Sequence, residues 1–100
     1  MKNIPLKTVE VEDGSKLMYD EIIRSVVRQP LDPQKGVGID EMRKGIRILD
    51  KLDASTEVLE LEDADYNHLK EKVEGMTWGM VDRNLMGFID TVLNANGQVT

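Results

Sequence analysis

The stretch TWGMVDRNLMGFIDTVLNA, residues 77 to 95, spaces Trp78, Val81, Leu85, Phe88 and Val92 alternately three and four apart, with Met86, Ile89 and Leu93 beside them. A helix advances about 100° per residue, so this spacing gathers apolar side chains on one side and demands something to bury them against. The set running from Ala95 round to Met86 covers about half the circumference, wider than the ~100° stripe that faces a single core. Such a helix either sits in a groove between two others or turns part of its face toward a partner. Trp78, Met80 and Met86 are the candidate partner-binding residues here, because aromatic side chains and Met are enriched at interfaces. A homo-oligomer is one way to cover them.

The rest of the chain has to supply that groove from one core, since 100 residues leave no room for a second. With 40% hydrophobic residues the composition is that of a globular domain. There are no cysteines, which excludes disulfides, thiolate zinc sites and cysteine nucleophiles. No apolar run approaches the ~20 residues of a membrane span, and the start lacks the apolar core of a secretory signal. A soluble intracellular protein is expected, with residues 1–96 as a single globular domain and 97–100 as a flexible tail.

Along the chain, LKTVEVED alternates as a strand closed by an Asp13-Gly14 turn. SKLMYDEIIRSVVRQ gathers Leu17, Met18, Ile22, Ile23, Val26 and Val27 on a helix that Ser15 can cap and that Pro30 and Pro33 end. IDEMRKGIRILDKL keeps the three-four spacing through Ile39, Met42, Ile46 and Leu49, with Ile48 and Leu52 widening that face and Asp40 at the first turn. TEVLELE alternates as a second strand. DADYNHLKEKVEG makes a short helix with Tyr66, Leu69 and Val73 on one side and Gly75 as its stop. The last helix then begins near Thr77. The pattern predicts one α+β domain, mostly helical, with about four helices around a two-stranded sheet formed by residues 6–12 and 57–61.

The net charge of −6 is concentrated rather than spread. Residues 1–38 carry six basic and six acidic groups, residues 39–56 four of each, and residues 57–74 seven acidic against two basic. An acidic chain of this kind is a poor generic nucleic-acid binder, because phosphate neutralisation needs clustered Lys and Arg. The acidic segment is read as a solvated helix start, where negative side chains suit the dipole. It matches no calcium-loop spacing, so no metal or other cofactor is expected. On the second helix Arg43, Arg47 and Lys51 stand four apart as a basic ridge, which Asp40 and Asp50 can compensate and which an acidic protein surface could also meet. Asp20 accounts in part for Arg24 and Arg28. His68, the only histidine, lies on what reads as a polar helix face and has no catalytic companion at a recognisable offset. KGVG lacks the pattern of a phosphate loop and is a loop tip. No catalytic residue is assigned, and an enzyme is disfavoured.

The order of elements, with GIDEMRKGIRILDKLD, LEDADYNHLKEKVEG and FIDTVLNA, resembles small accessory proteins encoded by tailed phages and prophages, over roughly residues 6 to 95. The resemblance implies a non-enzymatic module that acts by contact with another protein, phage-encoded or a copy of itself, in particle assembly or as a structural accessory, or by control of a host protein. It would work in the host bacterial cytoplasm or be incorporated in the virion. The alternative is a helix-turn-helix-like nucleic-acid-binding regulator built on residues 15–29 and 39–52, in which Arg43, Arg47 and Lys51 would dominate salt-dependent binding.

Overall fold

In the computed structural model, which describes residues 2–10, 14–30, 32, 34–79 and 81–95, the helical periodicities become four helices. They are α1 (Tyr19–Arg28), α2 (Ile39–Asp53), α3 (Asp63–Gly75) and α4 (Arg83–Leu93). The strands are β1 (Lys2–Pro5), β2 (Thr8–Glu10), β3 (Lys16–Met18) and β4 (Val58–Leu61). The fold is α+β and mostly helical, with two antiparallel two-stranded sheets, β1 with β4 and β2 with β3. No helix among the described residues is long and apolar enough to cross a membrane.

The sheet expected between residues 6–12 and 57–61 forms with a different first strand. Lys2 pairs with Leu61 and Ile4 with Leu59, and Ile4, Leu59 and Leu61 are fully buried. The period-two burial of Leu59 and Leu61, with Val58 turned outward, is the alternation read from TEVLELE. Residues 8–10 instead pair back on residues 16–18 through a connection that includes Gly14 at φ 89°, left-handed backbone that glycine adopts without steric cost. Asp13 and Val11 lie outside the described residues. That hairpin takes Lys16, Leu17 and Met18 out of the helix, so α1 starts at Tyr19, whose amide donates to Lys7 O at 3.1 Å, and Ser15 does not cap it. Pairing has overridden helix propensity over those residues.

α3 is the central helix. Tyr66, Leu69 and Val73 are buried as expected, but so are Asp65, His68 and Lys72, a polar row at the same three-four spacing on the adjacent face. The Tyr66 hydroxyl donates to the last turn of α4 at Val92 O (2.6 Å) and Leu93 O (3.1 Å), and burial holds its pKa above the usual value. It therefore stays a donor to carbonyls of that last turn, which have no partner from a continuing helix.

α2 departs most from expectation. Ile39, Met42 and Ile46, the anchors expected to face the core, are exposed by 72%, 53% and 51%, while Gly45, Ile48 and Leu52 are buried. The buried side is centred about 100° round the helix from the anticipated one. Its cause is the approach of α1: a Cβ at Gly45 would stand 3.2 Å from Val27 Cγ1, so α1 packs where α2 has no side chain.

Candidate protein-docking site

α4 begins at Arg83 rather than near Thr77, because Asp82 caps it. Its Oδ1 accepts from the amides of Asn84 (2.8 Å) and Leu85 (3.1 Å), satisfying two of the donors that a helix start leaves free. Asp82 thus defines where the helix starts, and Trp78 stands in the approach to it. The approach is anchored from the other side by Phe88, fully buried on α4. The Trp78 ring meets the Phe88 ring edge-on at 6.4 Å between centroids, and Tyr19 meets it similarly at 4.9 Å.

An open groove of about 530 Å3 results between the approach and α4. Trp78, Val81, Leu85, Met86 and Ile89 line it, with Asp82 and Arg83 at its edge. Leu85 and Ile89 join it to the core. Val81 is fully exposed and Met86 is 49% exposed. A second groove, of about 400 Å3, lies on another side of Trp78 against β3 and α1, so the one tryptophan of the chain walls both. Of the three partner-binding candidates on this segment, the structure brings Trp78 and Met86 together, and Met80 lies outside the described residues. Val81 continues the apolar spacing of the helix in sequence but stands outside it. Its exposure could have been suspected from the Asp82 that follows it, since an Asp ahead of an apolar-periodic run marks a helix start.

Arg43, Arg47 and Lys51 do share one exposed face of α2, but they are not equivalent. Arg47 donates from Nε (3.2 and 3.3 Å) and Nη2 (2.8 Å) to the carboxylate of Asp65 on α3, which raises the guanidinium pKa above its ordinary value. Asp65, expected on a solvated face, is buried; the compensation expected from Asp40 and Asp50 comes across the fold instead. Arg24 likewise pairs with Asp53 at 2.5 Å rather than with Asp20. A shallow cleft of about 460 Å3 beside the ridge is lined by Arg47 and Lys51 together with Asp50, Glu62 and Asp65. That lining mixes signs and makes no phosphate cradle.

Between these surfaces runs a buried polar seam. Lys72, 1% exposed, donates to Val27 O (3.1 Å) and Gln29 O (2.5 Å) at the end of α1 and stands 3.1 Å from Glu41 Oε2 on α2. The distance to Glu41 is that of an ion pair, while the angle is not that of a hydrogen bond, so Oε2 is left without a hydrogen-bond partner. His68, one turn before Lys72, is also buried, contrary to its reading as a surface residue, and its Nε2 has no partner. Burial first, and Lys72 second, lower its pKa. Among the described residues no group of three or more His, Asp or Glu side chains is placed to hold a metal ion.

Comparison of the chain with protein-family models, with curated proteins and with solved structures finds no match.

Proposed function

We propose that this chain is a non-enzymatic protein-interaction module that receives an apolar segment of another protein in the groove between residues 78–81 and α4. The observation that carries the reading is the exposure of Val81 and Met86 beside a half-buried tryptophan braced on Phe88. A rigid aromatic wall with adaptable Met and aliphatic neighbours is the composition that interface centres favour. Within this proposal, the resemblance to small accessory proteins of tailed phages and prophages supports a role in particle assembly, with a phage-encoded partner met in the host cytoplasm or in the virion. A helix-turn-helix regulator is less well supported. α1 ends at Arg28 and α2 begins at Ile39, a long separation for that motif, and the central cation of the ridge is held by Asp65.

The test is differential recovery from a bacterial lysate containing phage proteins. Wild-type chain is expected to retain a discrete protein in fixed stoichiometry, and Val81→Asp and Met86→Glu to lose it while keeping the wild-type thermal midpoint. Equal recovery by the variants, or recovery that depends on Arg43 and Lys51 instead, would remove the groove from the function.

A further inference from the structure

The α4 groove does not account for a further apolar surface, on α2. Ile39, Met42 and Ile46 are all more than half exposed, Leu49 continues their line partly buried, and the four are spaced three, four and three apart. At about 100° per residue they fall within about 80° of one another, a narrow stripe of the kind that a second helix covers. The spacing is also its own mirror image: reversed end to end about residue 44, Ile39 falls on Leu49 and Met42 on Ile46. Two copies of such a stripe laid antiparallel match every apolar residue with another.

We infer that α2 is a self-association helix: two copies of this chain pair α2 against α2, antiparallel about a two-fold axis that crosses the stripe at the level of residue 44, with Ile39 on Leu49 and Met42 on Ile46 of the second copy. The charges choose the direction. Arg43 and Asp50 both flank the stripe on the same edge, away from the core side, while the opposite edge carries Gly38, Gly45 and buried Leu52. In a parallel pair each edge meets the opposite edge of the other helix, which sets Arg43 against Gly38 and Gly45 and Asp50 against Leu52, with no opposite charge on that edge of the helix for either. In an antiparallel pair each edge meets its own kind, so Arg43 shares an edge with Asp50 of the second copy, offset about 7.5 Å along the axis at 1.5 Å rise per residue. The two arginines come together at the axis, and each can extend away from the other toward an aspartate. Like the contact of any single pair of short stripes, this interface lies at the small end of the size range, so it exchanges with monomer.

Sedimentation of the full chain from about 1 µM to about 1 mM covers the range in which a small interface exchanges. The expected result is a monomer–dimer equilibrium. Ile46→Glu should leave a monomer at every concentration with an unchanged thermal midpoint, since the side chain is half exposed. Arg43→Asp should weaken the dimer at least several-fold, and the swap Arg43→Asp with Asp50→Arg should recover it. Because the chain has no cysteine of its own, the register can be read by oxidation. A one-to-one mixture of Met42→Cys and Ile46→Cys chains should give the mixed disulfide, identified by mass, in well over the half share of the product that random pairing yields. A chain that is monomeric throughout overturns the inference. So does a dimer that survives Ile46→Glu and is lost in Met86→Glu, which would move self-association to the α4 groove. A mixed disulfide at or below half of the product, or failure of the charge swap to recover the dimer, overturns the antiparallel arrangement.

Discussion

Lys72 Nζ lies 3.1 Å from Glu41 Oε2 and gives its hydrogen bonds to Val27 O and Gln29 O, so one buried ammonium joins α3 to α2 and to the end of α1. A cation at a helix C-terminus meets the negative end of the dipole and the carbonyls that have lost their in-helix partners. Glu41 is 28% exposed and stays partly hydrated, while the ammonium is not. The two ends of the pair are therefore unequal. Lys72→Ala leaves two carbonyls without their donor and a carboxylate without its counter-ion, and should cost about 3–5 kcal/mol, as breaking a buried pair does. Glu41→Gln should cost much less. Urea unfolding of the two variants measures the difference, and a Lys72→Ala loss no larger than that of Glu41→Gln would show that water replaces the ammonium.

Leu85 and Phe88 sit one turn apart on α4 but in different surroundings. Phe88 is enclosed between Tyr19 and Trp78, and Leu85 borders the open groove. Truncating each to Ala removes apolar contact, but the enclosed site also leaves a cavity. Leu85→Ala should therefore cost about 2–3 kcal/mol and Phe88→Ala about 4–5 kcal/mol, measured by chemical denaturation. The reverse order would mean that the groove is closed in solution.

Gly45 tests the packing that turned α2 round. Alanine gains about 1 kcal/mol of helix propensity over glycine, while its Cβ would press on Val27 Cγ1 at 3.2 Å. The two effects oppose one another, so Gly45→Ala should be close to neutral and Gly45→Leu should cost about 1–3 kcal/mol through overpacking. With Val27→Ala in place the contact disappears, and Gly45→Ala should then stabilise. Absence of that coupling in a double-mutant cycle would disconnect Gly45 from the helix approach.

These packing relations explain what the sequence could and could not reveal. Periodicity located all four helices, because it is a local property, and the alternation of Leu59 and Leu61 located β4 for the same reason. Which face of α2 turns inward is not local. The stripe Ile39, Met42, Ile46, Leu49 holds more apolar side chains than the side that is buried, and the deciding contacts are Gly45 with Val27 and Glu41 with Lys72, both from other helices. At α4 the three-four spacing continued by coincidence through Trp78 and Val81, although the Asp82 cap ends the helix before them. Trp78 and Met86 were legible as partner candidates from residue type. The unevenness of the basic ridge was not, because Asp65 is brought to Arg47 by the packing of α3 on α2.

His68 gives the fold a pH dependence whose sign follows from its surroundings. The ring is buried with Nε2 unpartnered. Burial and the positive charge of Lys72 lower its pKa, with Lys44 adding to Lys72, while Glu41 and Glu71 oppose them. Since the folded-state pKa lies below the ordinary value of about 6.5, the unfolded chain takes up the proton first as pH falls. The stability contribution is thus complete above about pH 6.5 and declines as the pH drops from there through the folded pKa. Carboxylates titrate mainly below about pH 5, so the histidine can be read between about pH 7 and pH 5. His68→Gln cannot take up that proton. Its unfolding free energy should be flatter across this window than that of the wild type, with the two curves diverging toward acid in favour of the variant. Parallel curves would mean that Nε2 finds a partner in solution and that the ring charges at no cost.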